Sequence, residues 1–371
     1  MNAVSVEAVL AIAGTVVVFW ALPRRWARLR WGLLSAAGFI FLAAAAPYSA
    51  LLLAGLTLTS FALVRWPVGA VPRYAYAAAT FILLLVLRPT FGGASIWLGA
   101  AFYILRIIHV TIEAARGTLP RLPLLDYLVY MAFPPTLPLG PIERLPWFQR
   151  ETLRWRWTPA FFAGGLETML YGYFQVVFLA NYLVDQFLWA HISEVANDCL
   201  RDWLECMRYA TSLYFNFAGY SDIAIGFALL LGIRIRENFR RPYLAANIVD
   251  FWRRWNISVT SWCRDYVNLP ALALTRNRSV AAIASMVVLG LWHEVSWRHL
   301  LWGVFNGIGI AVWRAWRNLR ERMPLAASRI EKIAAWTLTM AFVLASFAIT
   351  KEDTVDGSLR ALALLTGWGG S

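Results

Sequence analysis

Residues 290–303 read GLWHEVSWRHLLWG and hold His293 and His299, two of only four histidines in the chain. Three chemistries fit a histidine among tryptophans and leucines: a metal ligand, a satisfied core residue, or a group that moves protons. The metal reading needs a partner on the same face. Zinc-protease histidines stand four apart on a helix, whereas His293 and His299 are six apart, which on a continuous helix turns the second ring toward the opposite side. A nucleophilic serine needs a G-x-S-x-G elbow. AGYSDIAIG supplies Gly219 and Ser221 without the second glycine, so a set of Ser221, Asp222 and His293 has no local signature. Lysine occurs only at Lys332 and Lys351, and no phosphate-binding G-x-x-x-x-G-K-[ST] loop is present. The cysteines, Cys199, Cys206 and Cys263, form no C-x-x-C pair. A core role and a general-base role for His293 remain open on these grounds. Histidine titrates near neutrality, and an ionisable group inside an apolar segment is a functional hypothesis in its own right.

A second concentration of chemistry lies at 234–267, RIRENFRRPYLAANIVDFWRRWNISVTSWCRDYV. Seven arginines there are interleaved with Glu237, Asp250 and Asp265. Trp252, Trp255, Val259 and Trp262 recur at steps of three and four, which predicts one amphipathic helix lying at a membrane interface. Its arginines are either a surface anchor or the entrance for a phosphorylated ligand, since guanidinium groups grip phosphate in two-pronged fashion. The segment FPPTLPLGPIERLPWF (133–148) packs five prolines into sixteen residues and predicts non-helical backbone, tolerated at membrane depth only where protein or a water-filled cavity satisfies it.

The elements that must position these residues are apolar helices. The 371 residues are 60% hydrophobic and 15% charged, with mean hydropathy +0.57. A soluble domain carries about 45–50% apolar and about 25% charged residues. The excess is gathered in long runs without the alternation of a membrane β-barrel. Spans are predicted near 5–22, 32–47, 49–64, 74–88, 95–112, 166–184, 207–232, 279–292, 300–317 and 332–349, with a shorter apolar piece at 358–367. The fold class is therefore all-α: a polytopic membrane protein with about ten or eleven spanning or re-entrant helices. The net charge of +13 is read as loop arginine that sets orientation, not as a nucleic-acid surface. Arg24, Arg25, Arg28, Arg30, Arg65, Arg73, Arg116, Arg121, Arg144 and Arg150 mark the cytoplasmic side. The first apolar run has no positive residue before it and reads as a retained anchor with an outer N-terminus. His109 shares an apolar setting without a motif, and His191 and His299 read as interfacial residues.

Four segments carry a resemblance. PLGPIER, FNFAGYSDIAIGFALLLGI, NFRRPYLAANIVDFWRRWNISVTSWCRDYV and GLWHEVSWRHLLWGVFNGIGI, in that order, resemble the signature segments of the membrane-bound O-acyltransferase family. The bacterial branch, with alginate and peptidoglycan O-acetylation and teichoic-acid D-alanylation proteins, is the nearer match. The resemblance implies one membrane-embedded domain over 1–371. It has a signature core at 138–310, variable helices at 1–130 that match only as a hydrophobic pattern, and closing helices at 311–371, all around a central tunnel. It implies transfer of an acyl group, acetyl above all, from a cytoplasmic thioester to a hydroxyl of a glycan, lipid or secreted product. His293 would be the base, and Asn256 would orient the thioester carbonyl or the hydroxyl. Arg253, Arg254 and Arg264 would take the phosphates of coenzyme A or a phosphopantetheine arm, with Asp265 holding an arginine. Trp252, Trp255, Trp292, Ser221, Asp222 and Asn306 would line or pack the tunnel.

No bound cofactor or metal is implied; the thioester is a co-substrate. Partners would be acyl-CoA or an acyl carrier protein, the hydroxyl acceptor, membrane lipids and an extracytoplasmic transferase, in a bacterial inner membrane. The alternatives are a longer acyl chain from a carrier protein, or a transporter or acyl conduit without catalysis. Three positions depart from the family pattern. Asn256 stands where bacterial members usually carry histidine. Glu294 stands where Trp-His is followed by glycine, which predicts altered backbone after His293. Asn306 in WGVFNG stands where a histidine is common.

Overall fold

The computed structural model describes residues 5–87, 98–119, 122–322 and 328–365. Arg121, the start of the 95–112 span and the last two residues of the 358–367 stretch lie outside them. Backbone contacts divide the chain into two compact units, Met1–Val176 with Gly219–Glu237, and Val177–Ala218 with Asn238–Ser371. The 138–310 signature core is thus shared between them.

The first unit begins with α1 (Val6–Ala21), α2 (Ala27–Ala45), α3 (Pro47–Arg65) and α4 (Ala70–Leu87), followed by α5 (Ala100–Ala115), α6 (Leu124–Met131), α7 (Leu145–Leu153) and α8 (Pro159–Tyr173). The Ser5 and Thr158 hydroxyls cap α1 and α8 by accepting the backbone N–H of Ala8 and Phe161, and Pro47 and Pro159 open their helices where no N–H is needed. Helix α5 is buried along nearly its whole length and forms the core of this unit. The proline-rich stretch after α6 has only a single 3₁₀ turn, Pro134–Thr136, and is buried, as its composition predicts. Side chains satisfy its backbone. The fully buried Arg106 donates to the Thr136 and Tyr130 carbonyls, Tyr130 donates to the Glu143 carbonyl at 2.7 Å, and His109 Nε2 accepts the Leu145 N–H at 3.1 Å. The Glu143 carboxylate accepts the Arg236 N–H at 2.7 Å and its Nε at 3.0 Å. His109 is thereby a structural residue.

The second unit receives the chain through a π-helical stretch, Phe174–Leu188, and α9 (Trp189–Ile192). Helix α10 (Asp198–Leu230) contributes its first part here and its last part to the first unit, where Gly219 and Gly226 meet Gly172 and Gly165 of α8 backbone to backbone. Then come α11 (Ile248–Arg254), α12 (Ile257–Cys263), a π-helical turn Arg264–Asn268, α13 (Leu269–Thr275), α14 (Arg278–His293), α15 (Trp297–Arg320), α16 (Arg329–Lys351) and α17 (Val355–Leu365). Every predicted apolar segment coincides with helix in its described part. Among the described residues, five helical stretches are long and apolar enough to cross a membrane: Arg24–Ala45, Pro47–Arg65, Ala70–Leu87, Asp198–Leu230 and Arg329–Lys351. Val6–Ala21 and Arg278–His293 are apolar but shorter. The protein is an all-α polytopic membrane protein.

One expectation fails. Residues 234–267 are not one interfacial helix. Asn256, with φ 43° and ψ 56°, breaks α11 from α12, and Trp252, Trp255, Val259 and Trp262 are all buried inside the protein. Two short helices on either side of a left-handed residue keep a three-and-four spacing in sequence without forming one continuous face.

Candidate active site

Helices α14 and α15 form a tight antiparallel hairpin. Asn277 caps α14 through its side-chain oxygen, and Ser296 caps α15 by accepting the His299 N–H at 3.4 Å. Three glycines let the two backbones touch. A Cβ on Gly303 would lie 2.6 Å from the Met286 carbonyl oxygen, one on Gly307 2.6 Å from Ile283 Cα, and one on Gly290 against the His299 carbonyl oxygen. This is the small-residue packing that membrane helices use for close approach.

His293 is the last residue of α14. Its ring centroid lies 4.7 Å from Trp292, 5.7 Å from Trp302 and 6.4 Å from His299. The two histidines approach because the chain turns between them. The six-residue spacing would part the rings only on one continuous helix, and here α14 ends at His293 and α15 begins at Trp297. His299 is buried, with Nδ1 3.0 Å from the Ser296 hydroxyl, and His191 is exposed. Among the described residues no three His, Cys, Asp or Glu side chains gather as a metal site.

Glu294 closes the hairpin in extended backbone, φ −160° and ψ 141°, which any residue adopts. A glycine is not required by this conformation. Its carboxylate binds Arg298, with Nη2 to Oε2 at 2.6 Å. Arg298 in turn donates to the Thr350 and Glu352 carbonyls at the end of α16. Burial pushes the Glu294 carboxyl up, but the Arg298 hydrogen bond and the nearby His299 outweigh it, and the net shift is downward.

Asn256 lies at the α11–α12 break. Asn238 braces the turn: its carbonyl accepts the Ile257 N–H at 2.8 Å and its side-chain oxygen accepts the Ser258 N–H at 3.0 Å. Trp252 of α11 packs edge-on against Trp302 at 5.5 Å, so rings run in contact from α11 through Trp302 to His293. The indole Nε1 atoms of Trp252 and Trp302 on this line, and Asn256 Oδ1 and Ser258 Oγ at the turn, are buried without a hydrogen-bond partner in the protein, and buried polar atoms are nearly always paired.

Beside it lies a cavity of about 350 Å³, lined by Trp252, Arg253, Ile257, Arg264 and Arg314 together with a stripe of α14. That stripe is Ala282, Ser285, Met286 and Leu289. His293 is the next residue on it, roughly 6 Å further along the helix at 1.5 Å per residue. Among the described residues, the lining holds three arginines and no acidic side chain. Arg253 and Arg264 are exposed, Arg264 with Nε 2.9 Å from Asp265, and the half-buried Arg314 donates to the Arg278 carbonyl at 2.7 Å.

The structure thus gathers Trp252, Arg253 and Arg264 at one cavity, with Trp292, Trp302 and His293 beyond it. Other residues expected at the site have different partners. Arg254 pairs with Asp250 at 2.9 Å. Trp255 is buried among Tyr214, Phe239, Tyr243, Phe251 and Phe347. Asn306, fully buried on α15 between Trp302 and the cavity-lining Ile310, donates through Nδ2 to the Trp302 carbonyl at 3.0 Å, and its Oδ1 has no hydrogen-bond partner. Ser221 and Asp222 belong to the other unit, where Asp222 accepts from Gln175 at 2.6 Å. Arg314, Trp302 and Asn238 were not singled out from the sequence. For the first two a signal existed: Trp302, Asn306, Ile310 and Arg314 recur every four residues along one helical stripe.

Known proteins place the arrangement in context. The chain is 30% identical over 303 residues to the probable alginate O-acetylase of Azotobacter vinelandii, covering 80% of this chain and 57% of that protein. It is 29% identical over 263 residues to a peptidoglycan O-acetyltransferase of Helicobacter pylori, covering 66% and 47%. It is 27% identical over 309 residues to a teichoic acid D-alanyltransferase of Streptococcus thermophilus, covering 72% of each. The chain spans little more than half the length of the alginate relative. The profile of the membrane-bound O-acyltransferase family matches residues 24–350, which takes in the early helices as well as the four signature segments. The chain belongs to the membrane-bound O-acyltransferase family.

Proposed function

We infer that this protein transfers an acyl group, acetyl in the first instance, from a thioester to a hydroxyl of a cell-envelope glycan, lipid or secreted product. The observation that carries the reading is the line from the arginine cavity along α14 to His293, with unpartnered polar atoms beside it. The phosphate end of coenzyme A, or of a carrier-bound phosphopantetheine arm, suits Arg253, Arg264 and Arg314. The arm then follows the apolar stripe and delivers its thioester toward His293. His293 takes the proton of the acceptor hydroxyl as the oxygen attacks the carbonyl carbon. The C–S bond breaks, and the leaving thiolate takes the proton back from His293. The Asn256 side-chain amide donates to the hydroxyl oxygen or to the thioester carbonyl and orients it, which leaves the hydroxyl proton to His293. The tryptophans exclude water that would otherwise hydrolyse the thioester. A bacterial inner membrane and an extracytoplasmic partner that completes transfer to a polymer belong to the same reading.

The test is an assay of purified protein with labelled acetyl thioester and a hydroxyl acceptor, wild type against His293→Ala. The reading expects transfer by wild type and a loss of at least 10²-fold in the variant, the scale of one general base. Full activity in His293→Ala removes the mechanism. A wild type that moves no acyl group from any thioester, yet carries a solute across vesicles, points to a conduit instead.

A further inference from the structure

The first unit contains a feature that acyl transfer does not use. Arg24 and Arg25 lie in the turn between α1 and α2, Arg28 and Arg30 lie in the first turn of α2, and the sequence holds no Asp or Glu between Glu7 and Glu113. Arg24, Arg25 and Arg28 are exposed. Arg30 is buried, its guanidinium carbon 5.0 Å from the Phe19 ring, 5.2 Å from Trp20 and 4.7 Å from Trp155. Its Nη2 donates to the Leu22 carbonyl, while Nε and Nη1 are buried with no hydrogen-bond partner. Exposed Arg154 and Arg156 flank Trp155, and exposed Trp26 and Trp157 stand beside them in sequence. Arginine mixed with tryptophan is the composition of a membrane–water interface.

From this patch a cavity of about 330 Å³ runs along the α1–α2 seam. Arg30 and Leu22 line one end, Ala11 and Ile40 the other, and Gly14, Ala36 and Ala37 keep its floor low. Ten residues separate Arg30 from Ile40, so the groove is roughly 15 Å long at 1.5 Å per residue. That is about half the ~30 Å hydrocarbon core, the depth of one leaflet.

We propose that the α1–α2 seam is a binding site for one anionic phospholipid of the bilayer. Its phosphate sits among Arg24, Arg25 and Arg28 at the Arg30 end, and one acyl chain lies in the groove. The charge selects the headgroup, the length of the groove fits a leaflet-deep chain, and the buried cation joins the two. This site does not depend on the acyl-transfer reading.

The test uses the full-length protein and two independent variants. Arg24→Gln, Arg25→Gln and Arg28→Gln together remove exposed charge without touching Arg30. Gly14→Phe plugs the groove, because a Cβ there meets nothing within 4 Å. Native mass spectrometry counts retained phosphatidylglycerol against phosphatidylcholine, and thermal unfolding with each added lipid gives apparent affinity. Wild type is expected to retain and be stabilised by phosphatidylglycerol in preference to phosphatidylcholine. The triple variant should lose on the order of a hundredfold in affinity, the scale of three arginines at an anionic surface. Gly14→Phe should lose retention with every arginine in place. Soluble glycerol phosphate should not replace the lipid. Wild-type binding of phosphatidylglycerol by either variant overturns the proposal. So does equal retention of phosphatidylcholine, or stabilisation by glycerol phosphate alone.

Discussion

The position of His293 depends on Gly303, and replacing that glycine by alanine measures how much. In most helices Gly→Ala stabilises, by roughly 0.5–1 kcal/mol, because glycine loses more freedom on folding. At Gly303 the added methyl would lie 2.6 Å from the Met286 carbonyl oxygen and 2.8 Å from Val287 Cα. Both are backbone atoms of α14 and cannot swing aside. Restoring ordinary contact moves the helices apart by close to an ångström, and overpacking of this kind costs about 1–3 kcal/mol, which exceeds the propensity gain. The same shift carries Trp302, one residue before Gly303, away from His293, now 5.7 Å away. A misplacement near 1 Å costs on the order of 10²-fold in rate. Gly303→Ala should therefore unfold at a lower temperature and transfer acyl groups about a hundredfold more slowly with His293 intact. Gly55→Ala on α3, where a Cβ meets nothing within 4 Å, is the control and should be neutral or slightly stabilising. Thermal unfolding followed by tryptophan fluorescence, with turnover of labelled thioester on the same samples, gives both quantities. If Gly303→Ala matches Gly55→Ala in stability and wild type in rate, close helix approach does not set the site.

Other outcomes follow from the same geometry. Asn256 holds a left-handed backbone that costs most residues about 1–2 kcal/mol, so Asn256→Ala should be less stable than Asn256→Gly by roughly that amount, while both lose transfer activity. Parallel melting curves and turnover assays separate the backbone role from the amide role. Arg314→Gln should raise the KM for the thioester donor about tenfold with kcat nearly unchanged, because it touches the cavity and not the reacting atoms. A fall in kcat at unchanged KM would contradict that placement. Glu294 has a folded pKa below its unfolded value near ~4.3, so its stabilisation is present above that value and lost as pH falls through the folded pKa. Glu294→Gln should therefore melt below wild type at neutral pH, and the gap should close on acidification. A gap that does not change with pH would mean the carboxylate charge contributes nothing.

The legible part of the sequence was what period and composition carry. In its described part each apolar run is helix, because about 20 apolar residues in a bilayer have no other way to satisfy their backbone. The proline-rich 133–148 segment is irregular as expected up to Arg144, after which α7 begins, and its supports, Arg106 and Arg236, come from far away in sequence. The 234–267 reading failed because a three-and-four spacing survives one left-handed residue, so periodicity cannot see the break at Asn256. The histidine-spacing argument failed for a related reason: it assumed one helix where a short turn at Glu294–Ser296 folds the chain back.

The departures from the family pattern have physical accounts that differ in kind. Glu294 fits because its backbone is extended and because Arg298, one helical turn on, holds its carboxylate while tying the hairpin to the end of α16. That is a structural clamp beside the site, built from two charged residues that each need the other. Asn256 fits for a different reason. Asparagine is among the few residues that enter the left-handed region readily, and this turn requires that region. One residue therefore supplies both the break between α11 and α12 and a buried side-chain oxygen without a hydrogen-bond partner, so the turn itself favours asparagine at this position.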